Sequence, residues 1–93
     1  MRIKNENKKE FETSDFYVAV FLRSSDFNLI GINKNDPRRF NFIFTDKAER
    51  GKLLDDFFAG RATTEPRRFV SAIKELKSFM YSDAINNNFK NGF

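Results

Sequence analysis

Apolar positions along the chain fall into distinct patterns, and each predicts an element. In residues 64–82, Phe69, Ile73, Leu76 and Met80 recur at helical spacing behind Thr64, Glu65 and Pro66, which supply capping oxygens and a first-turn proline. The spacing predicts a helix with Phe69, Ala72, Ile73, Leu76, Phe79 and Met80 on its apolar stripe and Tyr81 at its edge. Residues 16–22 (FYVAVFL) are continuously apolar and β-branched or aromatic enough to suit a strand, so periodicity alone does not choose. The capping cluster Thr13-Ser14-Asp15 before the run, with Arg23-Ser24-Ser25-Asp26 after it, favours a helix over about residues 15–24.

The pattern changes at Phe27. Two short runs, FNLIGINK and RFNFIFT, flank a polar tip of Asn, Asp and Pro, and this reads as a β-hairpin. In the second run Phe40, Phe42 and Phe44 share one face, with Arg39, Asn41, Ile43 and Thr45 on the other. Thr45-Asp46 then offers caps for another helix, in which Leu53, Leu54, Phe57 and Phe58 form the stripe and Gly60 is the stop. Gly51 inside it costs up to about 1 kcal/mol relative to alanine. Tertiary packing, with another backbone close to Gly51, is expected to hold this helix.

The flanks lack such patterns. Residues 1–12 are charged throughout and predict a mobile arm, while residues 83–93 are rich in asparagine and predict a disordered tail. What remains is one small α+β domain over residues 13–82, ordered α-β-β-α-α, with a β-hairpin packed on three helices. A two-stranded hairpin leaves both edges bare. Pairing of hairpin edges between two copies would cover one of them, so a homodimer is a further expectation.

Composition narrows the chemistry more than it names it. The 93 residues include no cysteine and no histidine, which removes disulfides, thiolate metal sites and the commonest general base. Ser14, Ser24 and Ser25 therefore lack a histidine partner, and the glycines fit no phosphate-binding loop. Asp46, Glu49, Asp55 and Asp56 are the one carboxylate cluster, with no second cluster converging on it, so neither a metal, a cofactor nor an enzyme is expected. Thirteen phenylalanines read as core filling. No apolar run approaches the roughly 20 residues needed to span a bilayer, and the charged start lacks an apolar signal core, so a cytoplasmic protein without a membrane partner is expected.

Charge supplies the functional expectation. A formal net charge of +4 and a pI near 9.6 favour an acidic partner, either a DNA or RNA backbone or an acidic protein surface. The arginines are also patterned: GINKNDPRRF from Gly31 to Phe40 is echoed by GRATTEPRRF from Gly60 to Phe69. One reading of the echo is local chemistry, in which proline fixes a turn or helix start, the acid caps, the arginines face water and phenylalanine enters the core. The other begins from the helix dipole, which disfavours Arg67 and Arg68 in a first turn unless an anion compensates them. If the hairpin tip folds back beside that helix start, Arg38, Arg39, Arg61, Arg67 and Arg68 form one basic face with Lys34 at its rim. Internal pairing with Asp36, Glu65, Asp55 or Asp56 is the competing use.

Taken together, the Thr13-Ser14-Asp15 start, the Gly31-Ile32 step, the aromatic strand from Phe40 to Phe44, Pro66-Arg67-Arg68-Phe69 and Glu75-Leu76-Lys77 resemble short prokaryotic and phage proteins grouped as a domain of unknown function. The resemblance covers roughly residues 11–82. It departs at Ser25-Asp26, where a glycine is expected before the first strand. It implies a single α+β domain in a bacterial or mobile-element setting and transfers no site residue. The expected function is a non-catalytic module that docks on nucleic acid or a nucleoprotein complex through the arginine face. The alternative is a protein-interaction module, such as a phage- or mobile-element-encoded inhibitor or adaptor of a host complex.

Overall fold

The computed structural model describes residues 9–89. Its elements are β1 (Glu10–Thr13), α1 (Phe16–Ser24), β2 (Leu29–Asp36), β3 (Arg39–Thr45), α2 (Arg50–Phe58) and α3 (Pro66–Phe89). The α+β class and the hairpin stand as expected, and the sheet gains a third, antiparallel strand in the order β1-β3-β2.

The ambiguous run is a helix, and the caps explain why. Asp15 keeps an extended backbone while its carboxylate accepts from the Tyr17 and Val18 amides, and the Thr13 hydroxyl accepts from the Asp15 amide at 3.1 Å. Both orphan donors of the first turn are thereby satisfied. At the far end the Phe27 amide donates to Leu22 and the Asp26 amide to Arg23, with Asp26 at φ 71°. That is a Schellman turn with aspartate in the left-handed position. It accounts for the departure at Ser25-Asp26: the backbone does require the glycine conformation there, and Asp26 adopts it.

Between these caps, Val18, Ala19, Val20, Phe21 and Leu22 are all buried, so α1 has no solvent face over its middle. It contacts β1, α2 and α3. Phe21 stacks on Phe57 of α2 at 5.1 Å, and Phe16 meets Phe42 of β3 edge-on at 6.1 Å. Phe42 and Phe44 are buried, as their shared face predicts, while Phe40 is half-buried nearer the tip. The third helix was expected to lie on this phenylalanine face. It packs chiefly on α1, through buried Ala72 and Leu76, with Phe69, Ile73 and Met80 half-buried and Phe79 mostly outside.

The expected mobile arm and tail both change at their inner ends. Residues 10–12 of the arm belong to β1, in which Phe11 faces Phe44 and Thr13 faces Phe42 while Glu10 and Glu12 stay exposed. Helix α3 continues past residue 82 to Phe89. The rest of the arm (1–8) and of the tail (90–93) lies outside the described residues.

The hairpin is also less bare than expected. β1 occupies one edge of β3, and the free strand β2 carries an extra residue between Leu29 and Gly31 and another between Asn33 and Asp36. Bulges of this kind spoil an edge as a template for another strand. The two open edges that motivated a dimer are thus one short strand and one bulged strand.

Helix α2 differs in its start and in its glycine. It begins at Arg50 after Glu49, which makes no side-chain cap, whereas Asp46 accepts from the Lys47 amide and holds Arg50. A Cβ built on Gly51 meets nothing within 4 Å, so no backbone approaches it, contrary to expectation. Gly60 does end the helix: at φ 77° it forms a second Schellman turn, with the Arg61 amide donating to Asp56 and its own amide to Phe57. The two glycines therefore respond oppositely to alanine. Gly51→Ala is expected to stabilise by about 0.5–1 kcal/mol and Gly60→Ala to destabilise by about 1 kcal/mol, measured as shifts in the urea midpoint at constant m-value.

Candidate functional site

Lys34 decides where the hairpin tip lies. Its ammonium sits over the Phe40 ring at 5.3 Å and donates to the carbonyls of Phe79 and Met80 at 3.1 and 2.8 Å. The tip is thus fastened to the middle of α3. Arg67 and Arg68 sit in the first turn of that helix, roughly 18 Å away at about 1.5 Å per residue. The single basic face anticipated for Arg38, Arg39, Arg61, Arg67 and Arg68 does not form, because the condition on which it depended, a tip folded beside the helix start, is not met.

Two separate depressions take its place. The larger is an open groove of about 490 Å³ between the hairpin tip, the start of α1 and α3. Half-buried or buried Phe16, Phe40, Phe42 and Met80 give it an apolar floor, and Tyr17 and Tyr81 join them with more than half of their surface exposed. Among the described residues, Arg38, Arg39 and Lys77 are its charged lining, and no carboxylate joins them. The turn itself aims the arginines outward: Asp36 accepts from the Arg38 amide at 3.0 Å, fixing Pro37 and Arg38 at the corner. Arg38 also makes a long 3.5 Å contact with Asp36, yet its side chain stays 89% exposed, so the pair neutralises it weakly.

The smaller depression, about 310 Å³ at the start of α3, has a different electrical character. Arg23, Arg67 and Arg68 line it together with Asp26, Glu65 and Glu75. Arg23 pairs with Glu75 at 3.1 Å, Arg68 pairs with Asp26, and Glu65 accepts from the Arg68 amide as the helix cap. Arg67 has no acidic partner among the described residues, but it stands among three carboxylates. Arg61 lies apart from both depressions and pairs with Asp56 at 3.1 Å.

The arginine echo resolves into local chemistry at its acids and diverges at its arginines. Asp36 and Glu65 each accept from a backbone amide just beyond the proline. Phe40 and Phe69 each turn partly into the core. The first arginine pair faces a groove with no carboxylate among its described lining residues, Arg38 being only weakly paired with Asp36, and the second faces carboxylates.

Two of the four carboxylates clustered in the sequence around α2, Asp46 and Asp56, are engaged as counter-ions. Asp46 holds Arg50 through both oxygens, at 3.1 and 3.2 Å, and the Arg50 guanidinium lies 4.1 Å over the Phe11 ring. The Arg50 hydrogen bond keeps the Asp46 carboxyl below the usual range. Asp56 is lowered likewise by hydrogen bonds from Lys52 and then Arg61. Among the described residues, no three potential ligands gather to hold a metal ion, and no helix is long and apolar enough to cross a membrane.

The groove adds three residues that sequence reasoning did not assign to a site. Tyr17 and Tyr81 read as edges of the core, and Lys77 entered only through the Glu75-Leu76-Lys77 segment of the family resemblance. One signal was available: Lys77 and Tyr81 lie one helical turn apart and share a face of α3.

Residues 8–82 match the family model described as a domain of unknown function, DUF5659. No curated protein and no solved structure matches the chain.

The Asp46–Arg50 pair, clamped over Phe11 of β1, generates a pH prediction. Since Asp46 is lowered in the folded chain, its contribution is present above the unfolded value of about 4 and is lost as pH falls through the lower folded value. Asp46→Asn is expected to cost about 0.5–1 kcal/mol at pH 7 and almost nothing near pH 2, read from denaturant curves at both pH values. Equal stability of the two proteins at pH 7 would show that the clamp contributes nothing.

Proposed function

The chain belongs to the DUF5659 family, whose function is unassigned, and we propose that it is a non-catalytic module that binds the nucleic-acid backbone through the groove at the hairpin tip. The observation that carries this reading is the contrast between the two depressions. Among the described residues, Arg38, Arg39 and Lys77 line the larger one without a carboxylate, whereas the arginines of the smaller one stand among three. Weakly compensated cations held at the mouth of a groove attract polyanions, and arginine adds a planar fork that fits phosphate. Of the residues anticipated from sequence, Arg38 and Arg39 contact the backbone, and Lys34 positions the tip. Arg61, Arg67 and Arg68 act in structural ion pairing or at most in general attraction. Such a module works in the cytoplasm, with a cellular or mobile-element nucleic acid as its partner.

Binding of this kind is salt-dependent, because each phosphate neutralised releases condensed counter-ions. Fluorescence polarisation with generic DNA and RNA across a salt series is the test. The Arg38→Gln, Arg39→Gln double variant is expected to lower the slope of log Kd against log salt by about 1.4–1.8. The Arg67→Gln, Arg68→Gln variant is expected to change the slope less. Failure of the native protein to bind at low salt would overturn the reading in favour of an acidic protein surface, the partner of an inhibitor or adaptor. Equal loss in both double variants would overturn the assignment to the groove.

A further inference from the structure

We propose that the occupant of the groove is an unpaired strand, whose bases stack on Tyr17 and Tyr81 while its phosphates meet Arg38, Arg39 and Lys77. The inference rests on the backbone-binding reading above and goes beyond it in specifying what lies between the phosphates. A duplex needs only cations, since its bases are stacked on one another and present no free face. This groove offers much more than cations. Its floor is Phe16, Phe40, Phe42 and Met80, and two tyrosines in the same lining are 57% and 56% exposed.

Phe58 is exposed further still, at 68%, but it stands outside the groove, whereas both tyrosines line it. The core is closed by Phe42, Phe44 and Leu76 at or near zero exposure, and neither tyrosine belongs to it. Tyr17 is nevertheless oriented, because its ring meets Phe16 edge-on at 5.2 Å and 77°. Phe16 in turn rests against Phe42. A ring buttressed from one side and open on the other suits base stacking, which tolerates any sequence since every base has a π-face. Neither tyrosine hydroxyl has a protein partner among the described residues, which leaves both able to bond a base edge.

A volume of about 490 Å³ cannot enclose a double helix, which would touch only the rim. A few splayed nucleotides fit. The cations lie on the hairpin tip and on α3 around an aromatic centre, the combination by which proteins hold single strands without reading their sequence.

The test uses the full chain and four probes of equal length: single-stranded DNA, single-stranded RNA, duplex DNA, and a single strand of abasic sugar-phosphate. The native protein is expected to bind either single strand more tightly than the duplex or the abasic strand. Tyr17→Leu with Tyr81→Leu is expected to weaken single-strand binding by about 5- to 150-fold for each stacked base lost while leaving duplex and abasic binding unchanged. Tyr17→Phe with Tyr81→Phe, which keeps the rings, is expected to retain most of the affinity. Circular dichroism and the urea midpoint establish that each variant is folded.

Salt-dependent binding that is equal for duplex and single strand, or that is indifferent to the leucine substitutions, would overturn the unpaired-strand inference and leave the backbone reading intact. Absence of binding to every probe at low salt would overturn both. A preference between the DNA and RNA single strands would support the inference and identify the sugar that fits.

Discussion

The fold depends on one constraint: the apolar run from Phe16 to Leu22 must be buried on all sides, and it must be buried as a helix. Five successive buried residues have no polar side to offer water, so the rest of the chain has to surround them. Each of the larger ones is worth about 1.5–3 kcal/mol when removed from water, a large share of what a domain of this size can gather. The sheet, α2 and α3 make few contacts with one another that do not pass through α1. The helical form, in turn, follows from its ends. Asp15 satisfies two amides at the start, and the left-handed Asp26 closes the finish, so the backbone groups of a buried segment are accounted for without a strand partner.

What could be read from the residues was what is local. Caps, the hairpin, the glycine stop and the alternation of Phe40, Phe42 and Phe44 all act within a few positions, and each appears where its chemistry requires. β1 was hidden because Glu-Phe-Glu-Thr is only four residues long and set within charge. Its alternation has meaning only once Phe11 faces Phe44 across the sheet, a pairing that no short window contains. The same limit applied to the arginines. Prolines and acids in the two Pro-Arg-Arg-Phe segments were legible as local devices, and they behave as such. Whether the arginines meet depended on how the tip lies against α3, and Lys34 settles that through two carbonyls far along the chain.

Among the described residues, charge is distributed so that many cations are already answered. Arg23, Arg50, Arg61 and Arg68 have carboxylates at hand, and Lys47 spends its charge over the Phe27 ring and on the Asp26 carbonyl. Individually such exposed pairs contribute little to stability. Their collective effect is on the electrostatic surface, since they quiet the start of α3 and the flank of α2 and leave the groove as the place where positive charge and aromatic surface coincide.

The Lys34 strap joins chain positions separated by 45 and 46 residues and so holds one wall of the groove, from the hairpin turn and β3, against another from α3. Neither wall carries the groove by itself. Any opening that parts the hairpin from α3 erases the groove while most secondary structure survives, so occupancy of the groove and closure of the tertiary fold are thermodynamically linked. A ligand seated there would act as a staple between the hairpin and α3, and the melting temperature would report its concentration.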